Sequence, residues 1–298
     1  LVRRLADYTN GSFTNPSPIL LSPYLVVFIT FETLWKHLPK SRHEGNLPFI
    51  LIFSSLFYSL AIGLLSNPLQ GAVIDFLDWC TPVLFGFYLF INWRNYPSYR
   101  QNIQRVFFWG VLVMGVYGII QYLILPEWDR FWIIQSEMAS AGTPEAFLLN
   151  VHSTMNSRGP FALFMMAGTL LLLNNTSSFK GSLNSFVAPV GYLAILLTRV
   201  RTTWVAFFIG LFFLWTSLKP KYQMLLILTF IVMLICVAVL INIEQFSDRI
   251  SSRFETFSNL EGDGSFQARQ GIYQRNLTEA LFSFVGRGMG GGIGDSGI

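Results

Sequence analysis

Charge is what this chain lacks. Asp, Glu, Lys and Arg together make up 12% of 298 residues, about half of the roughly 25% carried by an ordinary soluble domain. Cysteine is scarce too. The two present, Cys80 and Cys236, lie inside apolar runs, which excludes a disulfide framework and any metal-ligand spacing and reads as packed free thiols. No His-Glu-x-x-His, Gly-x-Ser-x-Gly or paired metal-ligand pattern occurs, so zinc-protease and serine-hydrolase chemistry have no foothold. No cleavable signal peptide is visible, and the first residue is Leu1 rather than Met; the expectation is a fragment or a processed chain.

What fills the space is apolar. Hydrophobic residues reach 52%, with 29 Phe and 8 Trp, and the mean hydropathy is +0.49. Runs such as Leu47–Leu65, Val106–Leu125 and Tyr222–Ile243 contain no ionised residue. About twenty helical residues cover a bilayer core of about 30 Å. The pattern predicts eight spans, at Ile19–Trp35, Leu47–Leu65, Phe76–Asn92, Val106–Leu125, Gly159–Leu173, Ser185–Thr198, Thr202–Leu218 and Tyr222–Ile243. The expected fold is therefore all-α: a polytopic bundle of about eight transmembrane helices over residues 1–243, followed by an extracytoplasmic segment, 244–298, with an amphipathic helix.

The formal charge of +4 and a pI near 9.1 do not point to nucleic acid. The basic residues occupy breaks between spans instead of one stripe. Lys36, Lys40, Arg42, Arg94, Arg100, Arg105, Lys180, Lys219 and Lys221 all fall in alternate short loops, and the positive-inside rule makes that side cytoplasmic. The other side holds Ser66–Asp75, without Lys or Arg, and the Pro126–Arg158 loop with Glu127, Asp129, Glu137 and Glu145. Residues 126–158 and the tail from Glu244 are thus expected outside. Leu1 would lie outside as well, which suggests earlier spans before it.

Several residues could carry chemistry. Glu32 and Lys36 form an ordinary i,i+4 pair. Asp75 and Asp78 share a helix face as a possible carboxylate pair, with a structural role favoured at a hydrated boundary. Arg199 and Arg201 break the charge rule, lying between the sixth and seventh spans with almost no loop to hydrate them. Either they snorkel to headgroups or they form an anion site, since guanidinium forks bind phosphate oxygens bidentately. From Ser265 to Phe284 an apolar stripe recurs at helical spacing; Arg269 falls at its edge, able to face inward, and Arg275 opposite it. Arg249 and Arg253 read as a solvated face. Gly286-Arg287-Gly288-Met289-Gly290-Gly291-Gly292 contains Gly-x-Gly-x-x-Gly but follows a helix rather than a strand, so it reads as a tight bend returning the tail to the bilayer. His152 is a candidate acid–base group, though a lone loop histidine usually has no such role, and His37 and His43 sit among cytoplasmic lysines.

Arg201-Thr202-Thr203-Trp204 ahead of an apolar run, Asp263-Gly264-Ser265-Phe266-Gln267-Ala268-Arg269, and the Leu281–Gly292 stretch resemble motifs of the bacterial O-antigen ligase and polymerase superfamily. Pro126-Glu127-Trp128-Asp129 and Ser153–Pro160 resemble the outer loop and the start of the fifth span in one branch. The resemblance covers most of the chain through short, degenerate motifs. It implies an inverting, metal-independent glycosyltransferase with no cofactor. Its donor would be a polyprenyl-pyrophosphate-linked glycan, and its acceptor a glycan, lipid or protein hydroxyl. Arg201 and Arg269 would hold the pyrophosphate with Arg199 assisting, and the family's catalytic His would lie beyond Ile298. Two other readings stand beside it: a transporter of an anionic solute or lipid, and a non-catalytic scaffold for polymer assembly. Membrane lipid is a partner in all three.

Overall fold

A computed structural model describes residues 1–12, 24–37, 46–92, 95–137, 139–174, 183–218 and 220–242, and, in the tail, 267, 270–274, 277, 282 and 285–290. The described chain is helical and contains no strand. In order come α1 (Val2–Asn10), α2 (Leu25–His37), α3 (Leu47–Ser66), α4 (Leu69–Ile91), α5 (Tyr96–Ile124), α6 (Glu127–Gln135), α7 (Arg158–Asn174), α8 (Leu183–Leu197), α9 (Arg201–Ser217) and α10 (Pro220–Ile241). Each of the eight apolar stretches contains a helix. Three helices, Leu47–Ser66, Leu69–Ile91 and Pro97–Ile124, are long and apolar enough to cross a membrane.

Local chemistry sets the boundaries, and some differ from expectation. Pro68 cannot continue α3, yet it serves as N-cap for α4. The expected break at Ser66–Asp75 therefore shrinks to Asn67-Pro68, and Asp75 and Asp78 belong to a helix that starts at Leu69 rather than at Phe76. Pro82 lies inside α4 and Pro189 inside α8; beside the first, Thr81 Oγ1 donates to the Leu77 carbonyl at 2.6 Å. α5 begins ten residues before the expected Val106, so Arg100 and Arg105 extend the helix instead of forming a loop. The 126–158 region is ordered: α6, a 3-10 turn at Ala139–Ala141 and an isolated bridge between Gly142 and Leu149. In the tail, Gln267, Gln270–Gln274, Leu277 and Phe282 are helical. Phe266, Arg269, Arg275, Leu281 and Phe284 lie outside the described residues.

The chain packs as two compact units. One comprises Leu1–Asn15 with Ser98–Gly262, the other Pro16–Pro97 with Asp263–Ile298. The first has a core of Phe108, Val111, Phe161, Met165, Tyr192 and Phe207, contributed by α5, α7, α8 and α9. The second is built on α2, α3 and α4 around Phe53, Cys80, Leu84 and Phe87; Phe49 meets Phe87 edge-on at 5.1 Å. Both units keep large apolar side chains outward, Leu65 at 85% and Phe212 at 65% exposure among them. Water does not favour such faces; lipid does.

Candidate functional site

In the first unit, the segment 147–153 is stitched to three elements. Phe147 N donates to the Tyr122 carbonyl at 2.9 Å, Asn150 N to Ala141 at 2.8 Å, and Val151 N to Leu197 at 3.2 Å. Leu197 ends α8, so the outer segment and the α8–α9 turn form one structure. Trp204 pins that turn from the far side, its Nε1 donating to the Ile195 carbonyl at 3.1 Å.

Arg199 sits in the middle of this turn with φ 54°. A left-handed arginine costs about 1–2 kcal/mol. The guanidinium reaches back: Nη1 donates to the Leu148 carbonyl at 3.0 Å and to Asn150 Oδ1 at 3.4 Å, and Nη2 donates to the Phe147 carbonyl at 3.1 Å. Hydrogen bonds from a charged donor are worth about 1.5–3 kcal/mol each, and these three tie the turn to the 147–150 segment. The residue is buried, with its charge 5.8 Å above the Tyr122 ring. Arg199 thus neither snorkels nor presents its fork outward. Arg201, two residues on, is the first residue of α9, and its side chain is half-buried. The backbone N–H groups of a helix's first turn have no intrahelical acceptor, so the start of α9 is an electropositive helix end.

Beneath this turn lies a buried ionic cluster. Arg4 Nη1 donates to Asp129 Oδ1 at 2.7 Å and to the Ser153 carbonyl at 2.5 Å, and Nη2 donates to the Met155 carbonyl. The second carboxylate oxygen of Asp129 accepts from Tyr117 Oη at 2.7 Å and Gln121 Nε2 at 2.9 Å. Gln121 Oε1 in turn accepts from the backbone N–H groups of His152 and Ser153, at 3.2 and 2.9 Å. Trp132 covers the Arg4 guanidinium at 4.7 Å. A buried ion pair repays its desolvation only when its remaining hydrogen-bonding capacity is met, and Asp129 has three side-chain donors. The arrangement fixes 126–158 against α5 and α1.

His152 is fully buried in that cluster. Its Nδ1 lies 3.3 Å from the Asn150 carbonyl and its Nε2 3.4 Å from Gln121 Nε2. Burial, reinforced by the nearby Arg4 charge, pushes its pKa down to about 4. It is therefore neutral at physiological pH and walled off from any substrate, which argues against the acid–base role considered for it.

The remaining expected residues have varied placements. Arg269 lies outside the described residues, as do Arg249, Arg253, Arg275 and His43. His37 ends α2. In the second unit each acidic candidate has its own partner: Asp75 Oδ2 accepts from Gly290 N at 2.8 Å, and Asp78 Oδ1 from Tyr24 Oη at 2.6 Å. Residues 286–290 of the glycine-rich bend are among those described. Gly286, Gly288 and Gly290 are all left-handed, at φ 77°, 69° and 82°. Met289 N donates to the Ser59 carbonyl at 2.9 Å, and Asn67 Nδ2 donates to the carbonyls of Arg287 and Met289, each at 2.9 Å. Arg4 and Gln121 were not singled out by sequence, and Asp129 entered only as an acidic residue of the outer loop. One signal was present: Gln121 is the lone amide in the otherwise apolar Val106–Leu125 run. Arg4 is 125 positions from Asp129, and no spacing rule links them.

Comparison with family models, with curated proteins and with solved structures yields no match.

Proposed function

We propose that this chain is a multi-pass protein of the bacterial cytoplasmic membrane, its eight apolar helices all crossing the bilayer. In this reading it transfers a glycan from a polyprenyl pyrophosphate carrier to an acceptor hydroxyl at the outer face, in surface polysaccharide biosynthesis. The observation that carries the reading is the Arg199-Val200-Arg201 turn. Arg199 braces the turn against the outer segment through the carbonyls of Phe147 and Leu148, and Arg201, half-buried at the start of α9, is the arginine this reading assigns to an anion. The O-antigen ligase and polymerase resemblance assigns the arginine role to the same residue, and to Arg269.

The chemistry is electrostatic. The acceptor oxygen forms a bond to the anomeric carbon as the bond to the pyrophosphate oxygen breaks, inverting the configuration. The electron pair leaves on the diphosphate, where guanidinium groups stabilise the growing charge. The hydroxyl proton passes to a base other than His152, which the resemblance puts beyond Ile298. Arg199 acts through the turn, as a positioning residue. In membranes carrying the protein, Arg201→Ala and Arg269→Ala should each abolish glycan product at unchanged expression. Wild-type product from both would overturn the assignment.

A further inference from the structure

α1 is amphipathic inside out. A surface helix of a soluble domain turns its apolar stripe to the core and its charges to water. Here Arg4 and Asp7 are buried, Arg4 at 2% exposure, while Leu1 at the cap, Val2, Leu5 and Tyr8 are exposed, Val2 at 71%. At 100° per residue those four outward residues share an arc of about 120°. We propose that α1 is an interfacial helix, its outward arc seated at the boundary between headgroups and acyl chains of the outer leaflet. The inference rests on the membrane-spanning part of the reading above and is independent of glycan transfer.

Three observations carry it. First, the charges of α1 are satisfied within the protein. Arg4 donates to Asp129 and to the carbonyls of Ser153 and Met155, and Asp7 pairs with Arg3 at 3.5 Å. The outward arc stays apolar until Thr9 and Asn10, both exposed in the last turn. Second, α1 is gripped at the end of a span. Asp129, which holds Arg4, also accepts from Tyr117 and Gln121 near the end of the Pro97–Ile124 helix. At about 1.5 Å per residue, that grip falls within roughly 10 Å of the span's end. Ile124 lies on the Tyr117–Gln121 face of the same helix and is 69% exposed. The apolar surface of the span therefore continues on the side where α1 is docked. Third, the rings beside α1 are those of a membrane boundary. Tyr8 meets Phe131 edge-on at 5.9 Å and donates its hydroxyl to Glu127 at 2.6 Å, and Trp128 Nε1 donates to Tyr117 Oη at 2.8 Å. Tyrosine and tryptophan with an apolar body and a bonded polar tip populate the belts where lipid meets water. Water would meet the arc as bare apolar surface, and the acyl region alone would leave Thr9, Asn10 and the exposed Glu127 dry. The boundary suits both. Seated there, α1 ties the Ser153–Met155 stretch to the bilayer surface through Arg4.

The test is spin-label EPR on the whole chain in phospholipid nanodiscs, with Cys80 and Cys236 replaced. Single nitroxides go on Val2→Cys and Leu5→Cys, and on Phe212→Cys, exposed on α9, as the reference in lipid. All three positions are exposed, so none of the labels enters a core. Collision with oxygen, which concentrates among acyl chains, is compared with collision with a nickel chelate, which stays in water. Val2→Cys and Leu5→Cys should both collide more with oxygen than with the chelate, as Phe212→Cys should. Collision mainly with the chelate at Val2 or Leu5, with Phe212 in lipid, overturns the seating of α1 and leaves the bilayer reading intact. Little collision with either reagent would mean that protein covers the arc, a second copy or another part of the chain, and overturns the proposal equally. Chelate-dominated collision at Phe212 as well would sink the membrane reading and this proposal with it.

Discussion

Arg199 and Arg201 are two positions apart, yet the first is buried and the second only half-buried, which sequence alone could not distinguish. The difference comes from a left-handed backbone at Arg199 and three oxygen acceptors brought in by residues 147–150, about fifty positions away. His152 was visible as a candidate group, yet its burial depends on Arg4 and Asp129, which reach it only through the fold. That burial has a measurable consequence. The folded pKa of about 4 lies below the unfolded value of 6.5, so between those limits the unfolded chain binds the extra proton. Stability should be full above pH 6.5, fall as the pH drops toward 4, and level off below it. The loss amounts to about 3 kcal/mol at most. Thermal unfolding between pH 7 and 4 should show this acid-side fall, and His152→Gln should flatten it. An unchanged slope in the variant would mean that other groups set the acid limit.

Among the elements, helix positions were largely legible because length and apolarity are local properties. Their ends were less so. The Ser66–Asp75 break looked like a loop because it is polar and contains Pro68, but a proline that ends one helix can cap the next. The bend at Gly286–Gly290 was foreseen as a bend; its docking partner was not. A Cβ on Gly290 would come within 2.5 Å of Ala72 N, one on Gly288 would overlap the Gly63 backbone, and one on Gly63 would overlap the Met289 backbone. Three of these backbones approach too closely for any side chain, and Gly288 and Gly290 are left-handed as well. Gly288→Ala should therefore release the turn from α3, costing on the order of 1–3 kcal/mol in strain alone. Limited proteolysis after Val285 should accelerate, whereas Gly159→Ala, whose site has open space for a Cβ and no left-handed backbone, should leave that cleavage unchanged. Equal cleavage of wild type and Gly288→Ala would show that the turn does not depend on glycine there.

For the molecule as a whole, the all-helical class followed from composition, and the two-unit packing did not. The sequence orders the helices but does not say that residues 263–298 pack with 16–97. The proposed orientation rests on charge alone: it puts the basic breaks inside and the 126–158 segment outside. With Cys80 and Cys236 replaced, a membrane-impermeant maleimide should label Ser136→Cys in intact cells and Asn95→Cys only after permeabilisation. The opposite pattern would invert the topology and remove the outer-face site. The claim on which the account turns is that Arg201 holds a pyrophosphate, and it is tested most directly by polyprenyl pyrophosphate binding to wild type and to Arg201→Ala in nanodiscs. The account predicts saturable binding that weakens about ten- to hundredfold in the variant, the worth of one charge-assisted guanidinium contact. Equal affinity in the two, or no binding to either, would contradict it.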